Sequence, residues 1–195
     1  HSKTYEYASI LASKDVKVVD IAFAGGLARE DHIFKALSLG APFTKLICMG
    51  RAAMIPGFVG SNIEGVLNPD RKKSVNGNWD ELPPAVKELG ATAEEIFAGY
   101  YDVQKKVGEK EMKNIPYGAI AMWTFTDKLC AGLQQLMAGA RRFSLPEISR
   151  NDIFSGNRET EMETKIPFIT DVLDESAKNI LNTPFTIPSK KRGAR

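Results

Sequence analysis

Two short stretches of this 195-residue chain hold residue types suited to gripping an anion. The first is Gly25-Gly26, in "AFAGGLARED", and the second is Gly50-Arg51, in "MGRAAM". Each stands where an apolar run ends and a helical pattern begins. Glycine lets backbone N–H groups come close to phosphate oxygens, and a helix N-terminus behind them adds a favourable dipole. Arg51 adds a guanidinium that can donate two parallel hydrogen bonds to one phosphate. Taken alone, Gly25-Gly26 reads first as a positive-φ turn and Arg51 as a solvated side chain. Two glycine-marked strand ends flanking one helix shift the balance toward a phosphate site.

Other chemistry is sparse. The only histidines are His1 and His32, so a histidine-rich metal site is excluded, and no metal-ligand spacing occurs. His32 falls on the first turn of a helix, where a capping or solvated role is the plain reading. Asp20 lies inside the first apolar run, facing a strand end or pairing with a lysine. Tyr100, Tyr101 and Trp123 sit at helical spacing and read as core. No residue presents itself as catalytic. Cys48 and Cys130 lie far apart in apolar surroundings, which reads as two buried free thiols in a reducing, cytoplasmic compartment. The 26 basic and 24 acidic residues leave a net charge of +2, which argues against a nucleic-acid partner. No apolar run approaches the ~20 residues of a membrane span.

The elements that must position the two glycine pairs are legible in the hydrophobic pattern. "VKVVDIAFA" is β-branched and almost continuously apolar, as suits a strand covered on both faces of a parallel sheet. From Arg29 the pattern turns helical, with Ile33, Phe34 and Leu37 at three- and four-residue spacing and Gly40 as a stop. "TKLICM" is a second buried strand. Residues 16–49 therefore read strand, helix, strand, a βαβ unit with parallel strands. Upstream, "TYEYASILASKD" is helix-compatible.

Downstream the pattern changes. "IPGFVGSNIEGVLNPDRKKSVNGNWDELPP" is rich in glycine and proline and reads as a long irregular excursion. Then helices dominate. "TAEE" at 92–95 is a capping box opening a helix with Ile96, Tyr100, Val103 and Val107 on one stripe. Residues 118–140 carry Phe125, Leu129, Leu133 and Leu136 in line, interrupted by Gly132 and Gly139, which suggest close helix packing. "SLPE" at 144–147 is a second capping box, and a last helix spans about Asp171 to Leu181. The basic "PSKKRGAR" reads as a solvated tail.

Two strands cannot make a sheet with covered edges. Together with a start at His1 rather than Met, this reads as the C-terminal piece of a larger protein. Adjacent parallel strands of a (β/α)8 barrel place their C-terminal loops side by side, and the loops after strands 7 and 8 are that fold's usual phosphate site.

The same residues resemble a known family. "GGLAREDHIFKALSLGA", followed by "MGRA", is similar to the last two β/α units of FMN-binding (β/α)8 barrels. The nearest resemblance is to the FMN-binding domain of glutamate synthase in its stand-alone, glutamate-synthase-like form. "IPYGAIAMWTFTDKLCAGLQQLMAGARRFSLPEISRNDI" resembles the helical segment after that barrel, so the likeness covers residues 5–155. It implies a fold class: the C-terminal part of a TIM barrel (its last two strands), followed by a mainly α-helical extension. The implied organisation is βα units of an FMN-type barrel over 1–60, the irregular excursion over 61–91, a helical extension over 92–183 and a flexible tail over 184–195.

The resemblance also implies FMN as cofactor, with Gly25, Gly26, Gly50 and Arg51 on its phosphate. The parent would be an oxidoreductase that reduces the imine of 2-oxoglutarate and ammonia to glutamate, whereas this piece alone would be inactive. Its expected partners are the rest of its own barrel, a small-molecule substrate and, through open strand edges, further copies of itself. An iron–sulfur cluster, which glutamate synthases carry after strand 8, is not supported, because residues 52–90 contain no cysteine and two thiols cannot supply four ligands. The stretch Gly40–Gly50 is longer than the generic barrel pattern, so whether Gly50-Arg51 aligns with Gly25-Gly26 is for the structure to decide. The GG…GR logic is shared with barrels like inosine-monophosphate dehydrogenase and type 2 isopentenyl-diphosphate isomerase. A non-catalytic helical interaction module with a vestigial βαβ unit is the alternative from another class.

Overall fold

The structure is a computed structural model that describes residues 1–68 and 83–184. It opens with helix α1 (Ser2–Ala12), then strand β1 (Ile21–Ala24), helix α2 (Glu30–Gly40), strand β2 (Thr44–Cys48) and helix α3 (Arg51–Leu67). Short helices α4 (Pro84–Lys87), α5 (Ala93–Ile96), α6 (Tyr100–Val107) and α7 (Glu109–Met112) lead to the long α8 (Tyr117–Gly139). Two 3₁₀ turns, Leu145–Glu147 and Arg150–Asp152, precede α9 (Arg158–Thr164) and α10 (Ile169–Asn182).

The strand–helix–strand unit forms, and β1 pairs with β2 in parallel. β1 is shorter than the apolar run that contains it. A strand needs a partner, and β2 has only five residues, so Val16–Asp20 has no strand to pair with and Asp20 lies exposed just before β1.

The expectation of a barrel portion is overturned. Among the described residues the chain is mainly helical, and its one named sheet has two strands with no third beside either. In a barrel the helix after each strand returns across the outside of the sheet. Here α3, which follows β2, packs most extensively against α8 instead. That draws the chain away from the sheet into a helical bundle, and nothing closes the sheet into a ring.

The irregular excursion is corrected in part. Residues 51–67 are helical despite Pro56, whose missing N–H removes the bond to the Ala52 carbonyl. Burial of Ile63 and Gly60 against α8 outweighs that loss. The remainder of that segment between 69 and 82, and the tail from 185 on, lie outside the described residues.

Two cores result. The larger joins Ile63 of α3, Ala93 of α5, Phe97, Val103 of α6, Met112 of α7, and Ile120 and Ala121 at the front of α8. The smaller joins Phe34 and Leu37 of α2 to Met137 near the end of α8 and to Ile148. Thus α8 runs from one core to the other. The stripe expected through Ile96, Tyr100 and Val103 spans two helices, because the chain breaks at Phe97–Gly99 between α5 and α6. The Thr92–Glu95 capping box is present. At the second expected box Glu147 accepts from the Phe143 amide, and a further box forms at Ser149–Asp152. Arg150 ties three elements together, donating to the Leu39 and Thr164 carbonyls and stacking its guanidinium 3.9 Å from the Tyr5 ring centre.

Candidate functional site

The site is set by where β1 and β2 stop. Ala24 pairs with Cys48 at the end of the ladder. Gly25-Gly26 and Gly50-Arg51 therefore leave the sheet from neighbouring strands, whose spacing is about 4.8 Å. The register is reached through an irregularity. Ile21 pairs with Thr44 but Ala22 with Leu46, so Lys45 is the extra residue on β2. Without it Ala24 would face Ile47, and the two loops would be offset by one residue. The bulge takes up one residue of β2 and sets Ala24 opposite Cys48.

The glycines at this end have room around them. Gly25 has φ +128° and Gly26 φ +66°, and apart from their immediate chain neighbours no heavy atom lies within 4 Å of where a Cβ would sit on either. Gly50 is equally open, and it is the N-cap of α3. Its carbonyl accepts from the Ala53 and Met54 amides. The N–H groups of Arg51 and Ala52, in the first turn of α3, have no acceptor within that helix. Arg51 is exposed. The backbone at this end is open, and the first turns of α2 and α3 follow it, with Arg51 exposed at the start of α3.

The start of α2 carries its own charge cluster. Asp31 accepts from Lys35 at 2.8 Å and lies 3.1 Å from the Arg29 Nε. The Lys35 hydrogen bond is the main cause holding the Asp31 carboxyl below its ordinary range, against a smaller upward push from burial. The stem of Glu30 packs over Gly132 of α8. Of the two acidic residues in the first turn, Asp31 is paired with cations, which limits its repulsion of an anion at the loops. His32 accepts from the Ala28 amide through Nδ1 at 3.3 Å, a capping role as its position in the helix implied. Arg29 and its closeness to His32 were not singled out in the sequence. The signal was the run Arg29-Glu30-Asp31-His32, charged and polar at a helix start.

Gly25, Gly26, Gly50 and Arg51 all follow the paired C-terminal ends of β1 and β2. It corrects the thiols: Cys48 and Cys130 are both free and exposed. A four-residue strand and a short sheet do not supply the second covered face that the apolar pattern implied. No group of three or more His, Cys, Asp or Glu side chains able to hold a metal occurs among the described residues. No described helix is long and apolar enough to cross a membrane. Comparisons with protein families, with curated proteins and with solved structures return no match for this chain.

Proposed function

We propose that the paired loops Gly25-Gly26 and Gly50-Arg51 bind the phosphate of FMN, and that the chain serves a glutamate-synthase-like oxidoreductase. The observation that carries this reading is the Ala24–Cys48 register, with three open glycines and Arg51 just beyond it. The reading does not need a barrel. It needs two parallel strands ending together, each followed by a helix whose N-terminus faces the same space. The flavin and the glutamate chemistry come from the family resemblance of the sequence.

In this role the open amides and Arg51 hold the phosphate by charge-assisted hydrogen bonds and so fix one end of the cofactor. When bound, FMN supplies two-electron transfer to the imine of 2-oxoglutarate. The chain's own residues bind and orient the cofactor, and as one piece of a larger enzyme the chain by itself is expected to show no turnover. Open strand edges and exposed Leu46, Met54, Ile55 and Phe58 favour association with further copies.

The test is a titration of the full chain with FMN, followed by flavin fluorescence, with riboflavin as the control that lacks phosphate. FMN should bind at least about tenfold more tightly than riboflavin, the scale of one charge-assisted hydrogen bond. Inorganic phosphate should compete. Equal affinity for the two flavins, or no binding of FMN, would overturn the proposal.

A further inference from the structure

Resting on the phosphate-loop reading, we infer that His32 is the positioning residue that holds the Gly25-Gly26 loop in its open shape. Three residues, Leu27, Ala28 and Arg29, connect that loop to α2. The N-cap of α2 is Arg29, which makes no side-chain cap. His32, at the third helical position, supplies the cap from inside the helix: its Nδ1 accepts from the Ala28 amide at 3.3 Å. A capping-box glutamate at this position reaches back to the N-cap amide; His32 reaches one residue further, to the residue before the N-cap. An acceptor at Nδ1 means that the neutral ring carries its hydrogen on Nε2.

The segment is then held at both ends. Ala24 is fixed in the sheet by its pairing with Cys48, and Ala28 is fixed to the helix by His32. Between them stand two glycines at positive φ with nothing packed against them. Gly25 and Gly26 have no side chains to set their own geometry, so their conformation depends on the two anchors. The neighbouring guanidinium of Arg29 is held by the Asp31 carboxylate, 3.1 Å from its Nε. The histidine thus takes the Ala28 amide out of competition for a ligand.

The experiment compares the full wild-type chain with His32→Asn, His32→Leu and Arg51→Gln by amide hydrogen exchange without ligand, then by FMN titration. Asparagine places Oδ1 where Nδ1 was; leucine keeps the bulk without an acceptor. In His32→Leu the Ala28 amide should exchange about tenfold faster. The Gly25 and Gly26 amide resonances should shift, and FMN affinity should fall about five- to tenfold. His32→Asn should stay within about threefold of wild type in all three. Arg51→Gln should weaken FMN with Ala28 exchange unchanged. The inference is overturned if His32→Leu leaves Ala28 exchange or the glycine resonances as in wild type, or if asparagine fails to restore them. It is also overturned if the loop changes while FMN affinity does not. If the wild type binds no FMN, the functional reading falls, and the ligand-free exchange and resonances still decide His32.

Discussion

Glycine does opposite work at the two ends of this molecule. At the loops after β1 and β2, Gly25, Gly26 and Gly50 have, apart from their immediate chain neighbours, no heavy atom within 4 Å of a Cβ position. In the α3–α8 seam, a Cβ on Gly60 would lie 2.6 Å from the Tyr117 carbonyl and 2.8 Å from Ala121 Cβ, and one on Gly118 would lie 2.6 Å from the Gly57 carbonyl. The first group leaves space for something outside the chain. The second removes side chains so that two helices can touch through their backbones. The bundle holds most of the buried core, while the loop end carries open backbone and exposed apolar residues.

The strongest way to break this comparison is to fill the seam. Gly118→Val places a branched side chain against backbone at Gly57, which cannot swing away as a side chain tip would. Overpacking of this kind costs about 3 kcal/mol or more once the helices must separate. A urea melt should show that loss. A change within about 0.5 kcal/mol would mean that the seam is soft, and that the packed glycines differ little from the open ones.

A second test concerns the far end of α8, where the smaller core is closed by an ion pair. Asp152 has a side chain only 5% exposed and sits 2.9 Å from an Arg142 nitrogen. It also accepts from the Ser149 amide at 2.7 Å. Burial pushes its carboxyl up, but Arg142 and Ser149 together outweigh that and hold it below the ordinary value. A depressed folded pKa contributes stability that is present above the unfolded value, about 3.9 for Asp, and is lost as pH falls through the folded value. Asp152→Asn should therefore cost about 2 kcal/mol at pH 7. The difference from wild type should shrink below about pH 4. A difference that stays constant from pH 7 to pH 3 would show that the charge is not what matters there.

The two regions were not equally readable. The turn at Gly25-Gly26 was legible because paired glycines at the end of an apolar run report positive φ, and the Thr92–Glu95 box because its partners are three residues apart. Gly132 was legible as a packing position and is one, against Glu30, whereas Gly139 has open space and is not. The seam was missed because Gly57 and Gly60 lie in a stretch that also holds Pro56. Local propensity there says loop, and only contact with Gly118, far along the chain, makes it helix. The barrel expectation failed for a related reason. A βαβ unit looks the same in sequence whether its next helix returns to the sheet or, like α3, leaves it.

A third test bears on the loop itself. Gly26 sits at φ +66°, in the left-handed region that costs a residue with a Cβ about 1 kcal/mol. Gly26→Ala has space for its methyl, so the cost is conformational alone. It should lower stability by about 1 kcal/mol and, if the loop yields instead, weaken FMN binding. Unchanged stability together with unchanged FMN affinity would mean that the positive φ is not needed for the loop's role.

The smallest expected effect on stability is the most telling for function. Arg51 is exposed at the first position of α3, where a cation is slightly unfavourable beside the positive end of the helix dipole. Arg51→Gln should therefore leave the urea midpoint unchanged or raise it by a few tenths of a kcal/mol. A residue whose removal helps the fold but harms the function is the signature of a binding group. FMN affinity should fall about tenfold or more in the same variant, while riboflavin affinity stays as it was. If Arg51→Gln instead lowers stability and leaves both flavins alone, Arg51 belongs with the packed half of the molecule, and the open loops lose the cation that follows β2.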